Sequence, residues 1–133
     1  MKAVSAKITP GLNLGAVLVA ADNSGAKLVR LVAVKRGKGT MGRQGNARVA
    51  DLVKVSVRKG LPDMRGKVFD AVIVRQKKSY RRLSGERIAF EDNAVAILKD
   101  DKGNPQGTQI KGPVAREVME RWPSVAKIAS VVY

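Results

Sequence analysis

The chain has no cysteine and no histidine among its 133 residues. The first absence removes disulfide frameworks, thiol nucleophiles and thiolate metal sites. The second removes Ser-His-Asp triads, imidazole ligands and the usual proton shuttle near neutral pH. Aromatic residues are scarce: Phe69, Tyr80, Phe90, Trp122 and Tyr133 are all there are. Proteins that read single strands stack bases on several aromatics, so this composition speaks against that mode of recognition. Long apolar runs are missing too. Leu14 to Ala21 falls well below the roughly 18 apolar residues of a membrane span, so no membrane partner is expected. Lys2 and Lys7 precede that run as in a secretory leader, but Pro10, Gly11 and Asn13 interrupt the approach, and a first β-strand is the better reading.

Positive charge is present in excess. Lys and Arg number 26 against 11 Asp and Glu, a formal net charge of +15. Such an excess repels itself in a compact state, which points to a polyanionic partner. Residues 1–90 carry all of it and residues 91–133 are neutral, so one face is expected for an anion and another for something else. At 44% hydrophobic content the chain is no disordered polycation, and its length suits a single domain.

Valine occurs 19 times, a β-favouring composition. Leu52 to Arg58 alternates, with Val53, Val55 and Val57 on one side and Lys54, Ser56 and Arg58 on the other. Val17–Ala21, Leu28–Lys35, Phe69–Val74, Ile88–Phe90 and Ala94–Leu98 read as further strands, with turns at Asp22-Asn23-Ser24-Gly25 and around Asp101 to Pro105. Short strands with turns between them predict a small closed β-barrel over about residues 1–112. Residues 113–133 read as helical. Pro113 can occupy a first helical position, Val114, Val118 and Trp122 share one face, and Ser124 can cap a second short helix after Pro123. Trp122 is expected to anchor these helices on the barrel.

Two basic segments are the candidate functional residues. Lys35 to Arg48 is a glycine-rich loop with Lys35, Arg36, Lys38, Arg43 and Arg48 and no acidic residue. Its Gly37 to Gly42 matches G-x-G-x-x-G, but no helical apolar period follows, so phosphate contact by a loop is the better reading than a dinucleotide fold. Arg75 to Arg82 supplies Arg75, Lys77, Lys78, Arg81 and Arg82 and should project as a hairpin. Arg forks hold phosphate in two hydrogen bonds while Lys acts as a point charge. With Phe69 and Phe90 in apolar strands, binding should rest on backbone charge and shape, as in folded RNA. Glu91-Asp92 and Asp100-Asp101 are the only carboxylate pairs that could suggest a metal-dependent nuclease. Neighbouring strand residues point to opposite faces, so neither pair converges by itself. No catalytic residue, metal or cofactor is expected. A free-standing chromatin protein or RNA chaperone is the other binding reading.

Ala21-Asp22-Asn23-Ser24-Gly25-Ala26 resembles the opening segment of the universal large-subunit ribosomal protein family numbered fourteen. A longer signature follows in Ala71-Val72-Ile73-Val74, the basic run, Ser84-Gly85, Phe90, Asn93 and Ile97-Leu98, with Ala96 where that family usually carries Val. Gly107-Thr108 and Gly112 to Glu117 are also similar, and Arg121-Trp122-Pro123 looks like the archaeal and eukaryotic branch. The resemblance implies a five-stranded barrel with short C-terminal helices and a non-enzymatic constituent of the large ribosomal subunit in the cytoplasm. It implies contact with large-subunit rRNA, with the third ribosomal protein and, at an inter-subunit bridge, with small-subunit rRNA. It also implies a C-terminal docking surface for an anti-association initiation factor, for which Arg116, Arg121 and Trp122 are the candidate face.

Overall fold

A computed structural model of the chain describes residues 3–35, 39 and 41–133. The strands are β1 (Val17–Ala20), β2 (Ala26–Val34), β3 (Leu52–Gly60), β4 (Val68–Arg75), β5 (Tyr80–Arg81), β6 (Arg87–Ile88), β7 (Ala94–Leu98) and β8 (Ile110–Val114). Two helices, α1 (Arg116–Arg121) and α2 (Pro123–Ala126), lead to a last strand, β9 (Ala129–Val132). Strands β1, β2, β3, β4 and β7 close a five-stranded barrel in that order. Closure is made by the parallel pair of β1 and β7, Val19 opposite Ala94 and Ala20 opposite Val95.

The pleat decides what each strand buries. Val53, Val55 and Val57 of β3 point inward and meet Leu18, Val29, Leu31, Ala71, Ile73, Val95 and Ile97 in the barrel interior. Strands β4 and β7 have no polar alternation because both their faces are covered. Their other set, Val72, Val74, Ala94, Ala96 and Leu98, packs outside the barrel against Val114, Val118, Trp122 and Val125 of the tail. The continuous apolar runs in these two strands therefore mark the side on which the tail lies.

The tail departs from its expected form. Pro113 belongs to β8, and α1 starts at Arg116 after Ala115. Pro123 itself takes a first-turn position of α2, with Trp122 rather than Ser124 at the cap. Strand β9 then returns parallel to β8, pairing Ile110 with Ala129 and Val114 with Val132. This contact spans about twenty residues of sequence, which local periodicity does not register.

Candidate nucleic-acid interface

Strand direction sorts the connections. Strands β1, β3 and β7 run one way and β2 and β4 the other. The β2–β3 loop and the β4–β7 connection therefore leave the barrel at one end. The β1–β2 and β3–β4 turns leave at the opposite end. Both basic segments singled out in the sequence thus belong to the same end.

Within the β2–β3 loop, Arg43 is exposed and Arg48 is half-buried, its guanidinium donating to the Ile8 carbonyl at 3.1 Å. Lys35 pairs with Asp70 at 2.9 Å. Arg36 and Lys38 lie outside the described residues. In the β4–β7 connection, Lys77, Lys78 and Arg81 are exposed, and among the described residues none of them or Arg43 joins an ion pair. Arg87 of the facing strand is exposed beside them, donating to the Ser79 hydroxyl.

The expected hairpin is smaller than the basic run. It is the pair β5–β6, Tyr80 opposite Ile88 and Arg81 opposite Arg87. Arg75 is instead the last residue of β4 and is 7% exposed. It pairs with Asp92 at 2.8 Å and donates to the carbonyls of Lys111 and Pro113, which ties β8 to the barrel. Arg82 turns inward, pairing with Glu117 of α1 at 2.9 Å and donating to the Tyr133 carbonyl. Tyr80, also inside the basic stretch, is fully buried and donates its hydroxyl to Glu117 at 2.9 Å. Burial pushes the Tyr80 phenol pKa up, and the Glu117 carboxylate beside it adds to that. Burial works against the Arg82 charge, but its bonds to Glu117 and Tyr80 outweigh this and hold its pKa above the ordinary value. Three residues of the basic run thus hold the tail to the barrel.

The candidate partner face changes in the same way. Arg116 is exposed, while Trp122 is 3% exposed and donates its indole N–H to the Ala50 carbonyl at 2.8 Å. It is an anchor, as the helical period implied, and presents no surface to a partner. Arg121 packs over the Trp122 ring and meets Asp51 at 3.4 Å, which places it beside Arg48 at the cationic end. Burial raises the Asp51 pKa, against the lowering effects of the Arg48 N–H and of the two arginine charges.

The carboxylates form no reactive centre. Asp92 is taken by Arg75, and Asp100 accepts bonds from Lys102 and Asn104 within its own turn. Among the described residues, no three acidic groups are placed to hold a metal ion, and no helix is long and apolar enough to cross a membrane.

Sequence reasoning passed over one further group. Lys27, Arg58, Lys59, Arg65 and Lys67 are exposed at the opposite end of the barrel. The signal was four cations within ten residues around Gly60, Pro62 and Gly66.

Fold and surface together define a small cationic β-barrel protein, its free positive charge concentrated at the strand ends and no catalytic constellation among the described residues. Residues 11–133 match the family model for ribosomal protein L14p/L23e. Large ribosomal subunit protein uL14 of Nanoarchaeum equitans is 60% identical over 132 residues, covering 99% of both chains. The proteins of the same name from Methanothrix thermoacetophila and Methanococcus vannielii are 49% and 47% identical over 99% and 100% of both chains. The chain belongs to the L14p/L23e family of ribosomal proteins.

The family motif at Asp22-Asn23 has a structural reason. Asp22 accepts the Ile97 N–H at 2.9 Å and the Ser24 hydroxyl at 2.8 Å. Asn23 accepts the Thr108 N–H and donates to its hydroxyl, each at 2.8 Å. The β1–β2 turn thereby fastens the segment that leads into β8.

Proposed function

We infer that the chain is a structural constituent of the large ribosomal subunit in the cytoplasm, a single ribosomal domain that binds large-subunit rRNA through phosphate and shape. One observation carries this reading beyond family membership. The glycine-rich loop and the β4–β7 connection share a barrel end, where Arg43, Lys77, Lys78 and Arg81 are exposed without a carboxylate partner among the described residues. Lys35, Arg36, Lys38 and Arg48 belong to the same loop and complete the contact. Arg75 and Arg82 position these segments instead of touching phosphate. Tyr80 is buried, and the exposed Tyr133 ring packs edge-on against Phe90, so the contact is with backbone charge rather than with stacked bases.

The exposed Arg116 side of α1 is where a protein partner docks in this reading, an anti-association initiation factor in particular. The third ribosomal protein and small-subunit rRNA at a bridge are the remaining neighbours. The neutral charge of residues 91–133 supports a protein-facing side.

The test is the salt dependence of binding to large-subunit rRNA. With roughly eight phosphates engaged, log affinity falls against log salt with a slope of about −6 to −7. Changing Lys77, Lys78 and Arg81 to Gln together flattens that slope by roughly 2–3, while Arg116→Gln leaves it unchanged. Equal flattening by both variants overturns the assignment, as does failure of the protein to co-sediment with large subunits at low salt.

A further inference from the structure

We propose that Gln76 is a positioning residue for RNA binding, its buried amide fixing the glycine-rich loop and the β4–β7 connection at one spacing so that the cations of both meet the same RNA together. The proposal rests on the reading of the chain as an rRNA-binding protein and deepens it, since a fully buried side chain offers RNA no atom of its own. Gln76 directly follows β4 and is fully buried, although Arg75, Lys77 and Lys78 are its chain neighbours. Its Nε2 donates to the Thr9 carbonyl at 2.8 Å and to the Lys78 carbonyl at 3.0 Å. Its Oε1 accepts the Val49 N–H at 3.2 Å. One amide therefore joins the N-terminal segment, the end of the loop and the connection, reaching Thr9 across 67 residues of sequence and Val49 across 27.

The junction needs this side chain's chemistry. A primary amide carries two N–H donors and a carbonyl acceptor, and here donors and acceptor are all engaged with backbone groups. Glu would keep the acceptor and lose the donors, Lys would lose the acceptor, and Asn is one methylene short. A buried polar group satisfied in this way rigidifies what it binds. Among the described residues, the Val49 bond is the only hydrogen bond between the loop and the connection.

The N-terminal segment is the third part of the joint. Leu12 N–H donates to the Ala47 carbonyl at 3.1 Å and Ala47 N–H returns the bond at 2.8 Å, while the Arg48 guanidinium holds the Ile8 carbonyl. Gly11 lies against the connection, where a Cβ would stand 2.7 Å from the Lys78 Cβ. That atom is bonded to the backbone, so a methyl group at position 11 has to push the connection away. Residues 8–12, 47–49 and 76–78 thus form one joint at the cationic end. Its effect is bivalency. Once one segment has bound, a rigid joint keeps the other at high effective concentration over the same RNA, and a loose joint dilutes it.

The experiment measures the affinity of the full chain for large-subunit rRNA at low salt in two backgrounds. One is the wild-type chain. The other carries Lys77→Gln, Lys78→Gln, Arg81→Gln, which removes the exposed cations of one segment. Gln76→Met is close in shape and makes none of the three hydrogen bonds. It should weaken binding roughly tenfold in the wild-type background and less than about twofold in the other, where one segment binds alone and spacing no longer counts. A merely structural role lowers the folded fraction, and with it the apparent affinity, by the same factor in both backgrounds. Equal losses therefore overturn the proposal, as does an affinity that Gln76→Met leaves unchanged in the wild-type background. Should Gln76→Met fail to fold, Gly11→Ala takes its place under the same criteria, because it pushes on the same joint with the amide intact. Failure of the wild-type chain to bind the rRNA is a different result, which sinks the rRNA reading and the role of Gln76 with it.

Discussion

Arg82 and Glu117 are 35 residues apart in sequence and meet at 2.9 Å, with side chains 8% and 6% exposed. The pair joins the basic connection to the first tail helix, and the Tyr80 hydroxyl and the Tyr133 carbonyl complete its hydrogen bonds. Removing one partner leaves a buried charge without compensation, so Arg82→Met should cost about 3–5 kcal/mol in urea unfolding. The double variant Arg82→Met, Glu117→Leu should lose less than Arg82→Met alone, because no orphaned charge remains. Arg82→Met should leave the salt slope of RNA binding as in the wild type. A flattened slope with unchanged stability would return Arg82 to the phosphate contacts.

Trp122 should carry much of the hold between tail and barrel. It is nearly buried among Val114, Val118 and the outer residues of β4 and β7. Trp122→Ala is expected to lose about 3–5 kcal/mol. Trp122→Phe keeps most of the packing but strands the Ala50 carbonyl, at about 1–3 kcal/mol. Chemical denaturation of the two variants checks both figures and their order.

Gly103 and Trp122 should be coupled. Gly103 has φ +102°, and a Cβ there would stand 2.7 Å from the Trp122 ring. Gly103→Ala therefore combines backbone strain with overpacking, about 2–4 kcal/mol together. In a Trp122→Ala background the clash disappears and only the strain remains, so a double-mutant cycle should show a coupling of at least about 1 kcal/mol. Additive losses would show that the ring is not what the methyl group meets.

Asp22 should make stability rise on mild acidification. Burial lifts its pKa above the ordinary 3.8, only partly offset by the Ser24 hydroxyl and the Ile97 N–H. Between the raised folded value and 3.8 the folded state binds more protons than the unfolded one, so stability falls with rising pH across that window. Above the window the destabilising contribution is complete, and below 3.8 it is gone. The difference in stability between wild type and Asp22→Asn, followed by urea unfolding as the pH is lowered towards 3.8, should move in favour of the wild type. A difference that stays flat would mean that the hydrogen bonds to the carboxylate cancel its burial.

Much of the barrel was legible in the chain. Alternation in Leu52 to Arg58 identified a strand with one buried face, and the turn residues Asp22 to Gly25 marked the link between β1 and β2. The resemblance to the family was readable because its elements follow one another in chain order, from Ala21–Ala26 through the interrupted signature of Ala71 to Leu98. The candidate site was legible only as two charged segments. The sequence did not separate Lys77, Lys78 and Arg81, which join no ion pair among the described residues, from Arg75 and Arg82, which do, although all five lie within eight residues. The turn carrying Arg65 and Lys67 went unnoticed because its cations are spread among glycine and apolar residues.

Composition and local pattern by themselves determined a cationic, valine-rich barrel with its surplus charge in the first ninety residues. Side-chain alternation and charge are properties of neighbouring residues and survive without a fold. Tertiary structure alone decided which cations remain available. Asp92 reaches Arg75 from 17 residues away, and Glu117 reaches Arg82 from 35. Strand direction likewise placed both basic segments at one end of the barrel and the β3–β4 turn at the other. An ion pair needs both groups within a few ångströms, and only closure of the chain brings them there.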